Sequence, residues 1–183
     1  MKIGSIELIN HLVEKVENAK KSVENLNKYT VEQLNAKSHG DAWSTLECLE
    51  HLNLYGDFYL QEIENKILQQ KKQANKSMFN SGLVGNYFAN LMMVKNGKIK
   101  KMKTPTDMNP GNSTLTKTTI QRFLKQQEKL IRLLNQAKEV DLTNTKTAIK
   151  LTRLIKLRLG DTFRFLVYHI ERHILQAEKS IIQ

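Results

Sequence analysis

Two histidines four residues apart, His169 and His173, are the residues whose type and spacing most directly indicate chemistry. They lie near the C-terminus in a segment whose hydrophobic pattern predicts a helix. On a helix, residues four apart stand on one face, one turn above the other, so both imidazoles can reach one metal ion. The flanking residues are apolar nearly all round, which predicts a buried helix and requires a partner for each imidazole.

A third histidine, His51, falls on another predicted helix, where its neighbours on the helical face include Tyr55 and Phe58. Adjacent helices of an antiparallel bundle lie about 8 to 10 Å apart, a separation that ligands on facing helices can bridge. Three neutral imidazoles with open positions are typical of a catalytic or substrate-accessible metal site. Such a metal lowers the pKa of bound water or polarises a substrate atom, and imidazole suits zinc, nickel, iron and copper.

The same residues have a purely structural interpretation. Pairs of histidines at helical spacing arise by chance, and Cys48, one turn before His51, is more typical of a small buried hydrophobe than of a fourth ligand. Each liganding histidine would also need an acceptor for its second nitrogen, for which Glu47, Glu171 and backbone carbonyls are candidates. The other two histidines are predicted to be exposed, one on the surface of the first helix and one in a loop: His11 and His39.

Four long helices must position these histidines. Apolar residues recur at helical spacing over stretches that span about residues 5–26, 44–70, 114–140 and 161–180. Ser5 and Asp161 are candidate N-caps of the first and last helices, and Thr30 begins a short capped turn. Ser44 and Glu47 have the spacing of a capping box, in which each side chain bonds the other residue's backbone N–H. Residues 143–156 fit either an extended segment or a short helix.

The pattern weakens between residues 71 and 112, which predicts a long connection between the second and third of the four helices. A short amphipathic helix is predicted over 83–93, followed by the lysine-rich residues 95–103. One interpretation is a crossover that packs Phe79, Phe88 and Met92 on the bundle while its lysines stay hydrated. The alternative is a surface that touches a membrane, an acidic partner or nucleic acid.

The composition bounds the class of protein. A chain of 183 residues with 40% hydrophobic residues and two prolines fits one mostly helical domain over 1–183. Its single cysteine excludes an internal disulfide and agrees with a cytoplasmic location. We find no signal-peptide pattern and no apolar run that predicts a membrane span. The net charge of +11 favours loose attraction to polyanions, but no known nucleic-acid motif is visible.

Several short motifs, taken in order, resemble the DinB/YfiT-like superfamily. The matching residues are Trp43-Ser44, His51-Leu52, and His169-x-x-x-His173 with Arg172 and Gln176. The resemblance implies an all-α fold, an antiparallel four-helix bundle with a long connection between helices 2 and 3, often as a homodimer. It also implies that His51, His169 and His173 bind a divalent metal ion, with nickel or zinc the usual occupant and iron a further candidate.

The resemblance supports the site better than the reaction. Members of this superfamily include metal-dependent hydrolases and enzymes that transfer a low-molecular-weight thiol to electrophiles. We therefore expect an enzyme whose metal activates water or such a thiol against a small-molecule substrate. The alternative is a non-catalytic helical dimer that binds an acidic partner or nucleic acid through residues 95–103, with the histidines vestigial.

Overall fold

The computed structural model describes residues 1–40, 42–70, 77–95, 97, 99, 102–111, 113–150 and 152–181. Over these residues the protein is mostly helical, with six α-helices and four short strands. The helices are α1 (Ser5–Glu24), α2 (Val31–Asn35), α3 (Thr45–Gln69), α4 (Leu83–Met92), α5 (Thr118–Gln136) and α6 (Leu159–Ile181). The strands are β1 (Lys2–Gly4), β2 (Met78–Asn80), β3 (Lys146–Ile149) and β4 (Thr152–Arg158).

The four long helices α1, α3, α5 and α6 form the bundle. Helices α1 and α3 each pack against both α5 and α6. The apolar faces that the sequence predicts meet in one core cluster, which contains the fully or almost fully buried Leu12, Leu49, Phe123 and Phe163. This confirms the predicted all-α four-helix bundle with a long connection between its second and third helices. Among the described residues, no helix combines the length and the apolar character that a membrane crossing requires.

The predicted capping box sets the start of α3. The Ser44 hydroxyl accepts from the backbone N–H of Glu47 at 3.1 Å, and the Glu47 carboxylate accepts from the backbone N–H of Ser44 at 2.8 Å. Glu47 is 2% exposed and also pairs with the Lys37 ammonium at 3.0 Å. The helix therefore begins at a defined residue, and His51, two turns later, is buried in the bundle interior.

The connection between α3 and α5 packs on the bundle. Strand β2 pairs antiparallel with β1, with Ile3 opposite Phe79, and α4 packs along α6. Phe79 and Met92 are buried, as predicted for a crossover. Within the predicted basic segment 95–103, Lys95 and Lys103 are exposed. Lys98, Lys100 and Lys101 lie outside the described residues.

The two members of a buried ion pair on α6 hold α4 in place through hydrogen bonds. The Asp161 carboxylate accepts from the Ser81 hydroxyl and from the backbone N–H of Gly82, the N-cap of α4, and pairs with Arg164 at 3.0 Å. Arg164 in turn donates to the Asn86 side-chain oxygen at 3.1 Å. Asp161 therefore caps α4, whereas the sequence predicted a cap for its own helix, which begins two residues earlier at Leu159.

The other predicted cap, Ser5, is the first residue of α1, and Gly4 occupies the N-cap. The ambiguous stretch before α6 is extended: β3 and β4 pair antiparallel. Burial alternates along β3, with Thr147 and Ile149 buried, which is the period of a strand with one face on the core. The Thr147 and Thr162 hydroxyls are 2.6 Å apart and join this hairpin to α6.

We predict that Asp161→Ala lowers the free energy of unfolding by about 3 to 5 kcal/mol, because it leaves the Arg164 guanidinium buried without its partner. The pair is almost completely buried, with side-chain exposures of 3% and 0%. Urea denaturation measures the loss. As a control, Glu64→Gln breaks the partly exposed pair with Lys129 and should cost less than about 1 kcal/mol. Equal free energies of unfolding for the two variants would contradict the conclusion that the buried pair contributes more to stability than the partly exposed one.

Candidate metal centre

The contact between α3 and α6 brings the three predicted ligands together. His51 comes from α3, and His169 and His173 come from successive turns of α6. All three are buried, with exposures of 2%, 4% and 8%. The ring centroids of His51 and His173 are 4.6 Å apart, as are those of His169 and His173, and those of His51 and His169 are 5.0 Å apart. One ring nitrogen from each histidine lies within 4.8 Å of those of the other two.

Two of the rings are oriented by acceptors on their Nδ1 atoms. His51 Nδ1 lies 2.6 Å from the backbone oxygen of Met108, and His173 Nδ1 lies 3.1 Å from the side-chain oxygen of Gln176. A carbonyl oxygen only accepts, so each Nδ1 carries the proton and each Nε2 keeps its lone pair. The acceptor for His51 is a backbone carbonyl, which is one of the predicted classes of acceptor. The acceptor for His173 is Gln176, which is one of the residues that carry the family resemblance. Of the predicted carboxylates, Glu171 pairs with Lys15 at 2.6 Å.

The third ring, His169, is less completely satisfied. Its Nε2 is 3.1 Å from Nε2 of His51, and its Nδ1 is buried without a hydrogen-bond partner among the described residues. Buried polar atoms without partners are uncommon in proteins. Two nitrogen ligands of one ion, each about 2.0 to 2.1 Å from it, would stand at a separation like that of the two Nε2 atoms. The spacing and the lone pairs therefore fit a metal ion held by three imidazoles.

Burial keeps the three imidazoles neutral at physiological pH. It lowers the pKa of His51 from an ordinary 6.5 to about 4, although the hydrogen bond to Met108 acts in the opposite direction. Burial also holds the pKa of His169 and of His173 well below the ordinary value, and the neighbouring histidines and Arg172 lower it further. The neutral imidazole is the form that binds metal.

Aromatic rings surround the cluster. Trp43 lies 4.7 Å from the His51 ring and 5.8 Å from the His173 ring. Tyr55 lies 4.5 Å from the His169 ring, and Phe165 stacks on that ring at 5.8 Å with an interplanar angle of 17°. These apolar surfaces exclude water from most sides of the cluster, which is the physical cause of the low histidine pKa values.

One side of the cluster borders a pocket of about 480 Å³. Trp43 and Gln176 line this pocket and also contact His173, so they separate the pocket from the histidines by a single layer of side chains. Lys179 and Ser180 on α6 form another part of the wall. A small molecule in the pocket would therefore contact Trp43 and Gln176, which in turn contact His173.

The remaining candidates take no part in the cluster. Cys48 is buried one turn before His51, but the group of potential metal ligands contains only the three histidines among the described residues. His11 and His39 are exposed, as predicted. Sequence reasoning missed Met108 as the acceptor for His51, since a backbone carbonyl has no side-chain signature. It also missed Phe165 as a wall of the site.

Residues 12–177 match the family model of the DinB superfamily, and this span includes all three histidines. The chain belongs to the DinB superfamily. No curated protein and no solved structure matches the chain significantly. Membership confirms the resemblance seen in the motifs of this DinB protein and agrees with its helical fold.

We predict that the metal-free DinB protein loses stability as the pH falls from about 7 to about 4. The unfolded histidines bind protons below their ordinary pKa of 6.5, whereas folded His51 resists protonation until about pH 4, so acid favours the unfolded state. Each such histidine lowers the free energy of unfolding by up to about 1.4 kcal/mol for each pH unit of acidification. Urea unfolding in chelator at several pH values measures the slope.

His51→Gln should reduce the slope of the free energy of unfolding against pH by about the contribution of one histidine. Replacement of the exposed His11 by glutamine should leave the slope as it is in the wild type. A slope that is unchanged in His51→Gln would contradict the burial argument.

We also predict that Cys48 is chemically inert in the folded protein. Burial raises the pKa of its thiol, and the charge of Glu47 raises it further, so the reactive thiolate is absent. Iodoacetamide at about pH 8 should label Cys48 only after urea has unfolded the chain, as mass spectrometry can show. Rapid labelling of the native protein would contradict this.

Proposed function

We propose that this DinB protein is a metal-dependent enzyme in which His51, His169 and His173 bind one divalent ion. The observation that carries the proposal is the convergence of three buried imidazoles, each kept neutral, with two Nε2 atoms 3.1 Å apart. A hydrophobic core without metal would gain nothing from three adjacent imidazoles, because each costs desolvation and must find a partner.

The donor set fits nickel, zinc or iron. Imidazole is a ligand of all three, and the described residues place neither a carboxylate nor a thiolate in the group that would favour magnesium or a closed structural zinc site. Three protein ligands leave further positions for water or a substrate atom. Within this set, Met108 and Gln176 would hold the His51 and His173 rings with Nε2 toward the ion.

The bound ion would supply acidity, because coordination lowers the pKa of a water molecule or a thiol enough to give hydroxide or thiolate near neutral pH. The chain itself contributes orientation and exclusion of water. Trp43, Tyr55 and Phe165 cover the rings, which strengthens electrostatic interactions inside the site. The pocket beside Trp43 and Gln176 would hold the small molecule that reacts.

Two reactions suit this arrangement: hydrolysis of a small molecule by activated water, and transfer of a low-molecular-weight thiol to an electrophile. Both need an open metal position and an adjoining pocket, and thiol transfer follows the resemblance to thiol transferases in the superfamily. We further propose that the protein works as a homodimer in the cytoplasm and folds as one domain.

Metal analysis of the purified protein tests the site. We expect about one equivalent of nickel, zinc or iron per chain, and near-complete loss of metal in His51→Ala and in His173→Ala. His11→Ala, a change of an exposed histidine, is the matched control and should retain the metal. Addition of metal should also raise the unfolding temperature of the wild type, because only the folded state presents the site.

Metal-free protein that gains no stability from any of these ions, with His51→Ala as stable as the wild type, would overturn the proposal. A screen against ester and amide substrates, and against thiols paired with an electrophile, separates the two reactions. Activity in either screen should disappear in His173→Ala and persist in His11→Ala. Tight metal binding without turnover in both screens would indicate a protein that the metal stabilises, and it would contradict the proposed enzymatic function.

A further inference from the structure

The positive charge of the chain is concentrated in one stretch. Residues 65–106 contain nine of its 29 basic residues, all of them lysine, and none of its 18 acidic residues. The rest of the chain is nearly balanced, with 20 basic and 18 acidic residues. A surface built from this stretch therefore attracts anions without an acidic residue of its own to oppose the attraction.

Helix α4, in the middle of this stretch, has an unpartnered apolar face. Leu83 is 93% exposed, Val84 50% and Tyr87 63%. At about 100° per residue these three side chains fall within one third of the helix circumference. The opposite side, with Gly85 and Ala89, is buried against α6. Helix α4 is thus apolar on both sides and contains no charged residue.

Further exposed apolar side chains occur in the same stretch of sequence as α4. Of the ten large apolar side chains that are exposed in the described part of the chain, six lie between residues 78 and 102. Met93 and Met102 are among them, next to the exposed Lys95 and Lys103. Concentrations of exposed apolar side chains are unusual in monomers and mark sites of interaction.

The α4 face has a fixed position. The Asp161 carboxylate caps the helix, and Arg164 bonds the Asn86 side chain from the buried side. A Cβ atom at Gly85 would overlap the Asp161 carboxylate, so only glycine permits this close approach. Because the buried side is closely fitted to α6, the exposed side cannot turn inward without breaking the hydrogen bonds of Asp161 to Gly82 and of Arg164 to Asn86.

We propose that Leu83, Val84 and Tyr87, with Lys95 and Lys103, form a lipid-binding face that docks the protein on the surface of an anionic bilayer. Leucine and tyrosine side chains enter the boundary between headgroups and acyl chains, while lysines beside them meet anionic headgroups. Docking at the surface requires no membrane-crossing helix. This inference does not depend on the metal site.

Other anionic or apolar partners fit the lipid-binding face less well. Nucleic-acid surfaces typically use arginine and several stacking aromatics, but residues 65–106 contain no arginine, and Phe79 is buried. A second copy of the chain would cover the apolar side chains, but it would also bring the exposed Lys95 and Lys103 of two copies toward one interface. An anionic bilayer matches both the apolar face and the lysines.

Vesicle co-sedimentation tests the proposal with the full-length protein. We expect binding to vesicles of phosphatidylcholine mixed with phosphatidylglycerol, weak binding to phosphatidylcholine alone, and loss of binding as the salt concentration rises. Leu83→Ser with Tyr87→Ser should reduce binding at least tenfold. Lys95→Gln and Lys103→Gln should each reduce it about fivefold, and more at low than at high salt.

The matched controls are Ile155→Ser and Lys156→Gln, which change an exposed apolar residue and an exposed lysine on β4 and should not alter binding. The substituted side chains are all exposed, so unfolding temperature and metal content should stay at wild-type values. A change in the unfolding temperature or in the metal content would indicate an effect on the fold or on the metal site, and not on the lipid-binding face.

Three results would overturn the proposal. The first is no binding to anionic vesicles at low salt, and the second is equal binding to neutral and anionic vesicles. The third is binding that the change of Leu83 and Tyr87 leaves intact. Preferential binding to RNA or DNA in a gel-shift assay would assign the face to nucleic acid instead. A dimer that Leu83→Ser dissociates in analytical ultracentrifugation would assign it to a second copy.

Discussion

The contact between α3 and α6 removes three imidazoles from water, and most of the structure around the site follows from that cost. A neutral imidazole in an apolar environment still has a donor and an acceptor to satisfy. The Met108 carbonyl and the Gln176 amide satisfy the Nδ1 atoms of His51 and His173. What remains is the close pair of Nε2 atoms of His51 and His169, 3.1 Å apart, which a proton on the His169 nitrogen or a bound cation can bridge.

The connection between α3 and α5 contributes to the site as well as to the surface. Its turn at Thr106–Met108 supplies the carbonyl for His51, and Asp107 in the same turn pairs with Lys150 at 3.1 Å near the β3–β4 hairpin. Earlier in the connection, α4 is held on α6 by Asp161 and Arg164. The histidine cluster and the proposed lipid-binding face are therefore attached to the same helix, α6.

Features that depend on near neighbours in the chain could be predicted from the sequence. The capping box at Ser44 involves residues three apart, and the long helices have an apolar repeat that spans many turns. The convergence of His51 with His169 and His173 needed more: a bundle, and the resemblance to a family. Once α3 and α6 are neighbours, the i, i+4 spacing on α6 directs both of its histidines to the same place.

Features that depend on distant backbone could not be predicted. Asp161 serves the N-terminus of α4, 79 residues away in sequence, because that helix end lies closer to its carboxylate in space. Strands β1 and β2 have three residues each, too few to show an alternating pattern. The turn at Met108 offers only its main chain to His51, and every residue has a carbonyl, so nothing in the local sequence distinguishes this one.

The use of a main-chain oxygen at residue 108 has an evolutionary consequence. An acceptor on a side chain is lost by one substitution, whereas a carbonyl survives every substitution that preserves the path of the backbone. We therefore expect selection at this position to act on the shape of the turn and on the burial of the 108 side chain, which is 4% exposed. The connection can diverge widely in sequence between relatives while His51 keeps its tautomer.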